Sequence, residues 1–161
     1  MNTHTDTYRD KAPRRRALIA GLLGLALARP SLSQNRPIAK VWKDPSCGCC
    51  KDWVSHLQGA GFDVQVLDTG NAEARARLGI PQKYGSCHTA QIGRYAIEGH
   101  VPVSDIQRLL RDAPQAIGLA APGMPIGSPG MDGPAYGGRK DPYDVLLIGK
   151  NGSSTVYQSH R

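Results

Sequence analysis

The string Pro37-Ile38-Ala39-Lys40-Val41-Trp42, followed after a short turn by Ser46-Cys47-Gly48-Cys49-Cys50-Lys51-Asp52-Trp53, decides how this chain folds. The first part reads as a short strand. In the second, Trp53, Val54 and Leu57 fall at i, i+1 and i+4, the spacing of one helix face. The cysteines therefore stand where a strand turns into a helix. Cys47 and Cys50 have C-x-x-C spacing, and Cys49 is adjacent to Cys50 and two positions from Cys47, so three soft sulfurs can converge on one point. Unpaired N–H groups and the dipole at a helix N-terminus favour the thiolate, which is both nucleophile and metal ligand. An ordinary structural disulfide is the plainer alternative, since an even number of cysteines in an exported chain is its usual signature.

Working outward, the helix should end near Gly59 to Gly61, and Phe62-Asp63-Val64-Gln65-Val66-Leu67 alternates apolar and polar residues as a half-buried strand does. Asn71 is placed to cap a short helix that Leu78-Gly79-Ile80-Pro81 ends. The segment from Tyr84 to Val101 reads as a loop and two strands joined at Gly93-Arg94. Beyond Pro102, Val103, Ile106, Leu109 and Leu110 recur at helical spacing. This β-α-β-α-β-β-α order predicts an α/β, thioredoxin-like fold, a central mixed sheet with flanking helices. There the loop entering the third strand lies beside the first helix's N-terminus, which brings Cys87 and His88 toward Cys47, Cys49 and Cys50.

Residues 118–131 are rich in Gly and Pro and are expected to be loop rather than helix or inner strand. A loop that long needs a reason. Met124 and Met131 lie in it, and thioethers are soft ligands suited to Cu(I), although methionine also serves as plain apolar packing. Tyr143-Asp144-Val145-Leu146-Leu147-Ile148 and Ser154-Thr155-Val156-Tyr157, joined through Asn151-Gly152, predict a C-terminal β-hairpin.

At the other end, Arg14-Arg15-Arg16, the apolar run 17–28 and small Ser31 and Ser33 before Gln34 have the parts of an export signal. The expected division is a signal over 1–33 and a single thioredoxin-like metal-binding domain over 34–161, with a periplasmic destination. Both the Sec and the twin-arginine routes remain open. The apolar run is shorter than the roughly 20 residues a spanning helix needs, so no stable membrane span is expected after processing. The whole chain carries +7, but residues 1–33 hold six basic and two acidic residues. The remainder has 14 basic against 11 acidic residues, a surplus too small and too scattered to support nucleic-acid binding.

Four thiols, His88, His100 and the loop methionines form a donor set whose softness selects Cu(I) or Zn(II) over Mg(II) or Ca(II). Adjacent Cys49 and Cys50 cannot easily take two corners of one tetrahedron, which disfavours a closed zinc site. Bridging different ions is easier, so the spacing favours a polynuclear Cu(I)-thiolate cluster. His88 and His100 are candidate nitrogen ligands, and His56 and His160 are read as surface residues. The competing reading is an exported thiol-disulfide oxidoreductase, with Cys47 as nucleophile and Cys50 as resolving thiol. Against it, Cys49 and Cys87 offer competing disulfides.

The strings Cys-Gly-Cys-Cys at 47–50, Ser-Cys-His-Thr-Ala at 86–90, Glu-Gly-His-Val-Pro at 98–102 and Gly-Met-Pro-Ile-Gly-Ser-Pro-Gly-Met at 123–131 resemble the CopG-like family of exported copper-resistance proteins. The likeness covers roughly residues 37–132, with four motifs in the same order. It implies a thioredoxin-like fold and carries over Cys47, Cys49, Cys50 and Cys87 as copper ligands, with His100, Met124 and Met131 after them. Copper ions, and periplasmic proteins that handle copper, are the partners this implies.

Overall fold

The computed structural model describes Met1 and residues 36–161, so the expected export signal lies outside the described residues. Strand β1 (Ile38–Lys43) leads through a turn at Asp44 into helix α1 (Gly48–Gly59). The turn is closed by the Cys47 N–H, which donates to the Asp44 carbonyl at 3.1 Å, and by the Ser46 N–H, which donates to Asp44 Oδ1 at 2.8 Å. Helix α1 buries Cys50, Trp53, Val54 and Leu57, at i, i+3, i+4 and i+7, which lays one stripe on the sheet. Then come β2 (Asp63–Leu67), α2 (Ala72–Arg77), a 3₁₀ turn (Gln82–Tyr84), β3 (His88–Ile92), β4 (Tyr95–Gly99) and α3 (Val103–Asp112). The chain ends with β5 (Ala116–Ala121), a second 3₁₀ turn (Pro134–Tyr136), β6 (Tyr143–Gly149) and β7 (Ser154–His160).

The strands form one mixed sheet in the order β2-β1-β3-β4-β5-β6-β7. Pairs β1/β2 and β4/β5 are parallel, and the others are antiparallel. The α/β expectation and the C-terminal hairpin are both present. However, the sheet has seven strands, one more than the four of the thioredoxin-like order and the two of the hairpin together. Alternation along the strands gives each face its own core. Trp53, Leu57, Ile92, Ile97, Ile106, Leu109, Leu119 and Val145 pack in the larger cluster, while Ile80, Tyr84, Ala96, Ala120 and Ile148 form a smaller one.

The extra strand corrects the expectation that 118–131 is all loop. Gly118–Ala121 belongs to β5, an inner strand between β4 and β6, and it ties the terminal hairpin into the sheet. Composition misleads here because close approach to β4 demands a glycine. A Cβ on Gly118 would stand 1.7 Å from the Ala96 carbonyl oxygen. The rest of the segment, 122–131, is irregular as expected.

Two smaller expectations also change. Asn71 holds the N-cap position of α2, but its side chain makes no capping bond. Its amide instead donates to the Ser86 carbonyl at 3.1 Å and to Thr89 Oγ1 at 3.2 Å. His160 is not a plain surface residue. Its Nε2 lies 2.8 Å from Oδ2 of buried Asp105, and its ring stacks on Tyr143 with centroids 4.8 Å apart. His56 is exposed, as expected, 3.5 Å from Asp132 Oδ1.

Candidate metal centre

The turn after β1 sets Cys47 at the N-cap of α1, Cys49 and Cys50 fall in its first turn, and Cys87 enters from the residue before β3. No acidic side chain occupies that first turn, so its N–H groups and dipole are left to the sulfurs. Cys47 and Cys50 are joined as a disulfide, and Cys49 and Cys87 are free. Cys49 Sγ is 3.6 Å from Cys47 Sγ, and Cys87 Sγ is 3.4 Å from Cys50 Sγ. All four sulfurs lie within 4.8 Å of one another, so the chain reversal before β3 closes the 37-residue gap between Cys50 and Cys87.

A second group shares Cys87. His88 Nδ1 is 3.5 Å and His100 Nε2 is 3.1 Å from its sulfur, and these three donor atoms also lie within 4.8 Å of one another. His100 Nδ1 donates to the Pro129 carbonyl at 2.9 Å, which leaves the Nε2 lone pair facing Cys87. His88 is fully buried between the rings of Trp53 and His100, at centroid distances of 4.3 and 4.9 Å, and its Nε2 has no hydrogen-bond partner. Met124 is 53% exposed. Met131 is buried, and its sulfur accepts a hydrogen bond from the Tyr136 hydroxyl at 3.2 Å.

Burial sets the protonation of these groups. It pushes the Cys87 thiol up to about 12, with Cys49 adding to the rise, so soft-cation binding there must displace a proton. It also lowers His100, and it lowers His88 to about 3, with neighbouring His100 contributing. A neutral imidazole offers the lone pair that a metal needs. The same shift makes stability depend on pH. Unfolded His88 titrates near 6.5 and folded His88 near 3, so between these values the unfolded chain binds the extra proton and stability falls as the solution is acidified. From neutrality to about pH 4.5 the loss should be roughly 3 kcal/mol in the metal-free protein. Urea titrations across that range check this, and a flat profile would contradict a neutral, buried His88.

Sequence reasoning missed what holds Cys87 in place. Glu98, fully buried in β4, accepts from Arg75 Nε at 2.8 Å, from the Ser86 N–H at 2.7 Å and from the Thr89 hydroxyl at 2.6 Å. Arg75 also donates through Nη2 to the Ser86 carbonyl at 2.6 Å. Ser86 is thus gripped by both its N–H and its C=O, one residue before Cys87. Burial raises the Glu98 carboxyl, and the Thr89, Ser86 and Arg75 donors oppose that rise. The Ser86 hydroxyl donates to the Gly123 carbonyl, lacing segment 122–131 to the same loop. Gly130 sits so close to α1 that a Cβ would fall 2.5 Å from the Cys49 carbonyl oxygen, at a φ of +86°. The one hint in the sequence was Glu98 itself, a charge directly after the apolar run Tyr95-Ala96-Ile97.

A family described as "Protein of unknown function, DUF411" matches residues 84–131, which include Cys87, both histidines and both methionines. No curated protein matches the chain. Two solved structures of copper resistance protein CopG do. Form 2 is 40% identical and covers 78% of this chain and 99% of its own, with a TM-score of 0.72. Form 1 is 42% identical and covers 76% of this chain and 96% of its own, with a TM-score of 0.70. With that identity over nearly the whole length of both forms, and with its cysteines gathered by the same fold, this chain belongs to the CopG-like family.

Proposed function

We propose that the protein binds copper through its clustered cysteines and serves copper resistance or copper handling. The observation that carries this reading is the convergence of four sulfurs within 4.8 Å at a helix N-terminus, in a chain 40% identical to a copper resistance protein. In the reduced chain Cys47, Cys49, Cys50 and Cys87 would hold Cu(I) as bridging thiolates in a polynuclear cluster, since soft sulfur selects that ion. His88 Nδ1, 3.5 Å from the Cys87 sulfur, and the lone pair of His100 Nε2 fit the edge of such a site. Met124 and Met131 are proposed as outer soft donors, with Met131 exchanging its Tyr136 hydrogen bond for the ion.

Strands β2-β1-β3-β4 with α1 and α3 are proposed as a thioredoxin-like frame, extended by β5 to β7. Export is part of the same proposal, with residues 1–33 as the signal, 34–161 as the mature periplasmic domain and periplasmic copper-handling proteins as its partners. Intact mass of the envelope protein should correspond to a chain starting near Gln34. Recovery of the full-length chain in the cytosol would sink the export claim.

A second reading, an exported thiol-disulfide oxidoreductase, is favoured by one observation, the Cys47–Cys50 disulfide. Cys49→Ser separates the two. Copper binding predicts fewer Cu(I) ions per reduced chain and affinity weakened on the order of tenfold or more, because a hydroxyl is a poor substitute for soft sulfur. The oxidoreductase predicts undiminished reduction of a model disulfide, because Cys47 and Cys50 remain. Anaerobic Cu(I) titration with metal analysis, paired with the exchange assay, decides between them. Unchanged copper binding with robust exchange would overturn the copper reading. In the same titration, replacing Met124 and Met131 together with leucine should weaken Cu(I) binding while leaving stability within about 1.5 kcal/mol of the parent. Unaltered affinity would return both residues to packing.

A further inference from the structure

The disulfide divides the donors of the site into two sets. Cys47 and Cys50 are tied to each other, whereas Cys87, His88 and His100 keep donor atoms that lie within 4.8 Å of one another. Bonds of about 2.3 Å to sulfur and about 2.0 Å to nitrogen, set at the tetrahedral angle, hold a sulfur and a nitrogen ligand about 3.5 Å apart. Cys87 Sγ lies 3.5 Å from His88 Nδ1 and 3.1 Å from His100 Nε2, so the three atoms stand close to the corners of one tetrahedral face.

Each donor is also held from behind. The Ser86 grip fixes the backbone before Cys87. His100 donates through Nδ1 to the Pro129 carbonyl at 2.9 Å, which turns Nε2 to the sulfur, and the fully buried His88 ring is wedged between Trp53 and His100. Outer partners of this kind orient the ligands of a metal ion and fix their tautomers. The disulfide takes Cys50 out of the donor set, and with it the crowding of adjacent thiolates that disfavours a single tetrahedral ion. One thiolate and two neutral imidazoles suit a borderline divalent ion.

We propose that the disulfide form of the chain carries a mononuclear zinc-type site at Cys87, His88 and His100, separate from the four-thiolate cluster of the reduced form. The ion replaces the Cys87 thiol proton, which leaves to solvent, and takes the lone pairs of His88 Nδ1 and His100 Nε2. A fourth position is left for water, and no electrons move. The oxidation state of Cys47 and Cys50 thus selects the metal, several soft monovalent ions when reduced and one divalent ion when oxidised. The reduced half of that switch rests on the copper reading. The oxidised half uses only groups that the disulfide leaves free, and it is the half the test reads.

Reduced full chain is treated with one equivalent of diamide, the Cys47–Cys50 linkage is confirmed by peptide mass, and Co(II) is titrated anaerobically without copper. One Co(II) per chain should bind with a thiolate-to-cobalt absorption band, and Zn(II) should displace it with a Kd below about 1 µM, as structural zinc sites do. Cys49→Ser keeps all three donors and should retain the band, whereas Cys87→Ser should lose it. His100→Gln should weaken Zn(II) binding by about tenfold or more. The proposal is overturned if Zn(II) binds the oxidised parent more weakly than about 1 µM, if Cys49→Ser loses the band or if Cys87→Ser keeps it. It is also overturned if folded His100→Gln stays within about tenfold of the parent. Should His100→Gln not fold, the parent and the two cysteine variants still decide. Each of these outcomes leaves the Cu(I) titration of the reduced chain untouched, so the two readings fail separately.

Discussion

Replacing Arg75 with alanine should lower the unfolding free energy by about 3–5 kcal/mol, the cost of leaving a buried charge without its partner. Arg75 is 6% exposed and Glu98 is fully buried, so water cannot take over the lost contacts. The Nε bond to Glu98, the Nη1 bond to Gln82 at 3.1 Å and the Nη2 bond to the Ser86 carbonyl all disappear at once. Urea denaturation with an unchanged m-value measures the loss. A loss below about 1 kcal/mol would mean that the pair is solvated in solution. Arg75→Met combined with Glu98→Gln should recover part of the deficit, since removing both charges is far less costly than removing one. The variant also frees Ser86, so Cys87 should become easier to alkylate even where the chain stays folded.

Gly118→Ala should be at least as damaging. The new methyl would lie 1.7 Å from the Ala96 carbonyl oxygen, 2.6 Å from its carbon and 2.8 Å from its nitrogen. These are backbone atoms in a paired strand and cannot rotate aside. Strands β4 and β5 would have to part, and with them the join between the first four strands and the terminal hairpin. A loss above about 3 kcal/mol, or no folded protein, is the expected result. Gly133→Ala is the matched control, because a Cβ there meets nothing within 4 Å. Equal stability of the two variants would contradict the β4/β5 register.

Elements with a strong local signature could be read from the sequence. Helices α1 and α3 announce themselves by apolar spacing, and the hairpin by Asn151-Gly152 between alternating strings. The nearness of Cys87 to Cys50 followed from element order. Strand β5 could not be read in the same way, because Ala116-Ile117-Gly118-Leu119-Ala120-Ala121 has few β-branched residues and takes its small side chains from the demands of β4. The Arg75–Glu98–Ser86 network has no periodicity at all, since its members meet only through the fold. Likewise, four cysteines allow six single disulfides, and spacing alone does not choose the one observed.

Trp53 gives the site an optical consequence. Its indole is fully buried, donates through Nε1 to the Val101 carbonyl at 2.9 Å and lies 4.3 Å from the His88 ring. The other tryptophan of the chain, Trp42, lies under the cations of Lys40 and Arg77, at 5.3 and 4.9 Å from its ring. Protonation or ligation of His88 changes the field on the Trp53 indole packed against it. The protein therefore carries its own fluorophore against the buried imidazole, and events there can be followed by emission without attaching a label.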